Sequence, residues 1–154
     1  IEDNIKALCP AIANVMMVGD KQPFNCLLVT LKAVGATGEL PGGDDLDSES
    51  LAFLKSVGGE GVTTVSGVAA SGAEGPMVKA IAKAISDTNK NGDVCPMNAS
   101  KVQKFTILPL DFSVATDDFT PTFKLKRSFV HDKYGSAIKA MYASKETYVP
   151  FAAE

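Results

Sequence analysis

The sequence has no tryptophan, one arginine (Arg127), one histidine (His131) and three cysteines in 154 residues. One histidine excludes a multi-histidine metal site, and no Ser/His/Asp or Cys/His set surrounds it. A solvated or capping role suits His131. Cys9, Cys26 and Cys95 are odd in number and too widely spaced for a Cys-x-x-Cys site, which predicts free, buried or half-buried thiols in a reducing cytosol. Basic residues are outnumbered 15 to 18, giving a net charge of −3 and a pI near 5.2. Such a chain lacks the broad basic face of a sequence-independent nucleic-acid binder, so no nucleic-acid partner is expected. No apolar run approaches the ~20 residues of a membrane span, and no signal peptide precedes the fold. These absences predict a cytoplasmic piece without a transmembrane segment, any peripheral membrane attachment being left to residues outside it.

What is present is globular: 45% hydrophobic and 21% charged residues, mean hydropathy +0.10 and 16.1 kDa, about one domain with enough apolar side chains for a core. The chain opens on Ile1 rather than Met, in helix-like sequence, which predicts a piece of a longer polypeptide. Ile1, Ile5 and Leu8 stand at helical spacing with Pro10 just beyond. Val15–Val18 and Cys26–Leu31 are apolar runs bounded by turn residues, two buried strands whose simplest connection through Gly19–Pro23 is an antiparallel hairpin. Residues 33–47 read as loop, and Ser48 as the cap of a helix carrying Leu51, Phe53, Leu54 and Val57. Residues 58–75 are rich in Gly, Ser and Thr, with a turn of structure around 62–68. Pro76 then starts the clearest helix, whose Met77, Val78, Ile81, Ala84 and Ile85 form one stripe. Phe105–Leu108 reads as a strand stopped by Pro109. An acidic loop follows, Asp111 to Asp118, and a last helix carries Val130, Tyr134, Ile138 and Met141. The predicted fold class is α+β: a small, mostly antiparallel sheet, hairpin plus later strand, flanked by helices.

Few residue patterns point to chemistry. Gly58-Gly59-Glu60-Gly61 lacks the Lys-Ser/Thr of a phosphate loop and follows no convincing strand, so it reads as a flexible loop. Asn98-Ala99-Ser100 matches a glycosylation acceptor, a motif frequent by chance and without secretory context here. Asp87 to Val94 matches the first half of a calcium loop, with oxygen ligands at alternate positions and then Gly92. The position of the bidentate Glu holds Asn98, and Pro96 obstructs an exiting helix, so a helix end closed by Asn91-Gly92 is the better reading and no metal site is expected. The third pattern is Lys124, Lys126 and Arg127, just after a Thr-Pro-Thr turn. Two lysines and the sole planar, bidentate donor of the chain suit a phosphate or a carboxylate. Cations at a helix start oppose its dipole by only ~0.3–1 kcal/mol, a weak argument for function.

Four stretches carry a resemblance. Ile1-Glu2-Asp3, Cys9-Pro10 through Lys32, Lys101–Ser113, and above all Phe119-Thr120-Pro121-Thr122-Phe123-Lys124-Leu125-Lys126-Arg127 resemble the C-terminal domain of AMP-forming long-chain fatty acid–CoA ligases. Among these the chain is most similar to the bubblegum-type very-long-chain acyl-CoA synthetases. Phe119 stands where the family usually has Leu, and Asn89 to Ala99 looks like an insertion or divergence. The resemblance implies that residues 1–154 are a single mobile lid domain, with hinge and N-terminal ATP- and acyl-binding domain lying outside the chain. It implies a two-step ligase. A fatty acid and MgATP give an acyl-adenylate and pyrophosphate, and coenzyme A then displaces AMP. The family's catalytic lysine falls on Lys124, with Thr122 and Pro121 shaping its turn and Lys126 and Arg127 holding the loop or touching phosphate. ATP and Mg2+ would be bound mainly by the other domain, with coenzyme A as co-substrate, and the isolated piece would be inactive. The alternative is a stand-alone, non-catalytic binding or regulatory domain of the same fold; a calcium-responsive module would rest only on Asp87–Asp93.

Overall fold

The computed structural model describes residues 1–59 and 61–152; Glu60 of the Gly58–Gly61 loop lies outside the described residues. Three strands form one sheet in the order β1 (Ile12–Val18), β2 (Asn25–Leu31), β3 (Val102–Ile107). The expected hairpin is present, with β1 and β2 antiparallel. β3, by contrast, runs parallel to β2, so the α+β fold holds but the sheet is mixed rather than mostly antiparallel. The connection explains the difference. Residues 32–101 leave the end of β2 and carry α2 (Ser48–Ser56), α3 (Val65–Ala70) and α4 (Pro76–Lys90) across the sheet before β3 begins. A crossover of that length returns the chain to the starting end of β2, which a parallel pair requires.

β2 is central, and Cys26, Leu27, Leu28 and Val29 are fully buried. Its side chains alternate between two apolar clusters, as the pleat demands. Leu27, Val29 and Leu31 join Phe105 and Ile107 under α1 (Glu2–Leu8) and α4, whose Met77, Val78, Ile81, Ala84 and Ile85 all face that core. Cys26 and Leu28 face the other way, with Met16, Val18, Phe112, Val130, Ile138 and Met141 beneath α5 (Arg127–Lys133) and α6 (Gly135–Ala143). A bulge between Ile12 and Asn14 puts Ile12 on the same side as Val15, and so keeps both in the first core.

Local chemistry sets the element ends. The α2 cap is Asp47, not Ser48: its carboxylate accepts the Ser50 N–H at 2.8 Å. Gly58 and Gly59 close α2, their N–H groups reaching the Lys55 and Leu54 carbonyls at 3.1 and 2.8 Å. Gly58 has φ +84°, so the pair forms a glycine helix stop. Thr64 caps α3 through the Gly67 N–H, giving the turn expected near 62–68 a definite form. The single last helix breaks at Tyr134-Gly135 into α5 and α6, where Tyr134 has φ −107° and ψ 26° and glycine supplies no helix preference. Residues after α6 cover the β3 edge, with Phe105 bonding to Thr147 and Val149. No helix among the described residues is long and apolar enough to cross a membrane. All three cysteines are free and buried, and burial pushes the Cys9 and Cys26 thiols up to about 11.

Candidate functional site

The acidic loop between β3 and α5 is a built support. Asp111 Oδ1 accepts from the Thr30 hydroxyl, the Asn14 amide and the Phe112 N–H at 2.7–2.8 Å, which ties the loop to the sheet. Asp118, 1% exposed, accepts from the Ser113 N–H, the Thr116 hydroxyl and the Lys133 ammonium. From this base the chain turns back on itself. Phe119 bridges Leu125, the Lys126 N–H reaches the Asp118 carbonyl at 2.8 Å, and the Phe123 N–H closes the turn on the Thr120 carbonyl at 2.8 Å. Pro121, with its fixed φ, occupies the second turn position.

Lys124 sits just past the tip. Its N–H donates to Thr120 Oγ1 at 3.1 Å and its carbonyl accepts the Thr120 N–H at 2.8 Å. Thr120 Oγ1 also lies 3.0 Å from the Thr122 hydroxyl. The Lys124 backbone is therefore held at both ends of its peptide groups, while its ammonium is exposed and has no ion pair or hydrogen bond among the described residues. Phe123, at φ +63°, takes a left-handed conformation that a bulky residue rarely adopts. Its ring compensates by packing edge-on to Phe119, itself edge-on to the fully buried Phe112, so an aromatic ladder runs from the core to the turn. Gly38 is the other wall. A Cβ there would meet the Phe123 ring at 3.1 Å, and Gly38 itself needs φ +85°.

The other two cations of the cluster point elsewhere. Lys126 approaches Asp117 only at 3.9 Å, with both side chains well exposed, and lies over the Phe129 ring. Arg127 makes a two-pronged bond to Glu2 at 2.7 and 3.1 Å, and Glu2 also accepts the Met17 N–H at 2.7 Å. Partial burial pushes the Glu2 carboxyl up, but the Arg127 fork and the Met17 amide outweigh it and hold its pKa below the usual 4.5. The structure thus places Thr122 and Lys124 on one turn and directs Arg127 to the start of α1. Reading the sequence missed Asp118, Lys133, Gly38 and Glu2. The acidic loop was visible, but nothing in the spacing marks which of its carboxylates is buried.

The calcium-loop pattern is occupied by structure. Asp87 pairs with Lys83 at 2.7 Å, and Asn91 Oδ1 accepts the Asp93 N–H. Asn89 donates to the Val102 carbonyl at 2.8 Å and accepts the Val102 N–H at 3.0 Å, mimicking a strand neighbour at the start of β3.

The fold resembles part of a solved adenylation domain. A crystal structure of the adenylation domain of a carboxylate reductase from Mycobacterium chelonae superposes with a TM-score of 0.57 over 92% of this chain and 18% of that one, at 14% identity. Sequence relatives are more similar to the chain than that structure is. Long-chain-fatty-acid–CoA ligase ACSBG2 of Gallus gallus is 40% identical over 147 residues, 96% of this chain and 19% of that protein. ACSBG1 of Homo sapiens is 33% identical over 146 residues, 95% of this chain and 20% of that protein. The chain is therefore homologous, along nearly its whole length, to a segment of the long-chain-fatty-acid–CoA ligases. It spans about a fifth of the length of the curated relatives it matches. No family profile matches it.

Proposed function

We propose that these residues form the C-terminal lid domain of an AMP-forming long-chain fatty acid–CoA ligase and that Lys124 is its adenylation lysine. One observation carries the reading: a backbone-locked lysine on an exposed turn, its ammonium unpartnered among the described residues, in a chain related to these ligases. In the first half-reaction a carboxylate oxygen of the fatty acid attacks the α-phosphorus of ATP. The P–O bond to pyrophosphate breaks, and pyrophosphate leaves with the electron pair. Negative charges converge in this step, and an ammonium placed between them offsets their repulsion. In the second, the coenzyme A sulfur attacks the acyl carbon, its proton passes to solvent, and AMP departs.

Lys124 supplies a point charge on a flexible stem, so its reach is set by where the turn holds its Cα. Thr122 and Pro121 shape that turn. The Arg127 fork, taken up by Glu2, supports a holding role at the start of α5 rather than contact with phosphate. ATP, Mg2+ and coenzyme A are held mainly by residues outside this chain, so the domain alone is inactive. The test is Lys124→Ala in the full-length polypeptide. Acyl-adenylate formation falls about 100-fold or more, while thioester formation from supplied acyl-adenylate persists. Equal loss in both half-reactions would refute the role.

A further inference from the structure

We propose that Asp118 is a positioning residue for Lys124, acting through an ion pair with Lys133 that fixes the base of the turn. The proposal rests on the reading of Lys124 given above. Asp118 is 1% exposed, and its carboxylate meets three donors: Lys133 Nζ at 3.0 Å, the Ser113 N–H at 3.2 Å and the Thr116 hydroxyl. Its main chain is engaged as fully. The N–H donates to the Ser113 carbonyl at 3.0 Å, and the carbonyl accepts the Lys126 N–H at 2.8 Å. One residue thus joins the 111–118 loop, the return limb of the turn and the last helical turn of α5.

That arrangement closes a ring. The chain leaves Asp118, passes the Lys124 turn, enters α5 at Arg127 and comes back at Lys133 to the Asp118 carboxylate. Within it, the Lys126–Asp118 and Lys124–Thr120 hydrogen bonds and the Phe119–Leu125 bridge stack as successive rungs. Replacing a buried ion pair with apolar side chains is often neutral or stabilising, so stability alone gives a protein little reason to keep a carboxylate there. A fully satisfied buried carboxylate does fix geometry, because each of its donors stands at one distance and angle. Catalysis is sensitive to geometry in a way that stability is not. A displacement of ~1 Å in a reacting group can cost about 100-fold in rate.

The experiment uses the full-length polypeptide with Asp118→Asn, Lys133→Met and Lys133→Arg, with Asp87→Asn, whose carboxylate pairs with Lys83 within α4, as control. Asparagine keeps the shape but removes the charge and turns an amide donor toward donors. Lys133 is about one-third exposed, so Lys133→Met provides a folded variant should Asp118→Asn prove insoluble. Three readouts are taken: the kcat and KM of acyl-adenylate formation, thioester formation from supplied acyl-adenylate, and hydrogen exchange across residues 119–127. We expect Asp118→Asn and Lys133→Met to lower adenylation kcat by about 100-fold, with KM for ATP and the thioester step unchanged. Exchange across 119–127 speeds up, exchange in β2 does not, and Lys133→Arg restores both rate and protection. The proposal is overturned if exchange across 119–127 is unaltered, if both half-reactions fall together, or if Lys133→Arg is as damaged as Lys133→Met. Lys124→Ala, measured alongside, separates the two claims. Full adenylation in that variant removes the lysine's role and this proposal with it. Its loss alongside normal Asp118→Asn removes only the positioning role.

Discussion

Asn89 offers a sharp test, because the disfavoured calcium-loop pattern would make it a ligand whereas the structure assigns it to a strand clamp. Its side-chain amide makes two hydrogen bonds to the main chain of Val102, which is 2% exposed. Asn89→Ala removes both. Each is worth about 1 kcal/mol net, and a buried N–H and C=O left without partners cost about 1–3 kcal/mol, so a loss of about 2–3 kcal/mol is expected. For a domain this size that lowers the thermal midpoint by about 4–10 °C. Urea unfolding followed by far-UV circular dichroism gives the free energy, and differential scanning calorimetry gives the midpoint. Asn89→Asp separates the two readings more cleanly. In a calcium loop it would add a charged ligand; in the clamp it loses the donor and sets a carboxylate oxygen against the Val102 carbonyl. We expect Asn89→Asp to destabilise by about 1–2 kcal/mol and millimolar calcium to restore none of it. A ligand that bound the folded state would raise the midpoint as its concentration passed its dissociation constant. A calcium-dependent rise in either protein, or a loss below about 0.5 kcal/mol in Asn89→Ala, would refute the clamp.

Two further outcomes follow from side chains off the turn. The Glu2 carboxyl has a folded pKa below 4.5, so its stabilising contribution is complete above that value and is lost as pH falls through the lower folded one. Glu2→Gln should therefore be less stable by about 1 kcal/mol near neutral pH, a modest figure because Arg127 is half exposed, with the gap to the unmodified chain closing as pH falls below 4.5. Urea midpoints across that range check it, and a gap independent of pH would contradict the assignment. Thr106 Oγ1 is buried without a hydrogen-bond partner among the described residues. Thr106→Val should raise the unfolding free energy by about 1 kcal/mol in the same assay, and a decrease would mean that the hydroxyl has a partner after all.

What the sequence made legible and what it hid divide along one physical line: periodicity reports burial, not partners. The α4 stripe could be read because Met77, Val78, Ile81, Ala84 and Ile85 repeat with the helix, and all five are buried. The hairpin could be read because apolar runs flank a short polar turn. The direction of β3 could not, since a strand's own residues carry no mark of which way its neighbour runs; that depended on the long crossover. Nor could its start at Val102, three residues before Phe105, because the Asn89 clamp that initiates it comes from α4. The break at Gly135 was hidden because Val130, Tyr134, Ile138 and Met141 keep helical spacing across it. The candidate site shows the same division. The Thr-Pro-Thr turn and its lysine are local, so residue types alone mark them. The groups that hold them are joined across the fold: Arg127 to Glu2 over 125 positions, Gly38 to Phe123, and Asp118 to Lys133 through a carboxylate no different in sequence from its exposed neighbour Asp117. Charge pairing has no period, so only the folded chain identifies which acid is buried and which base it meets.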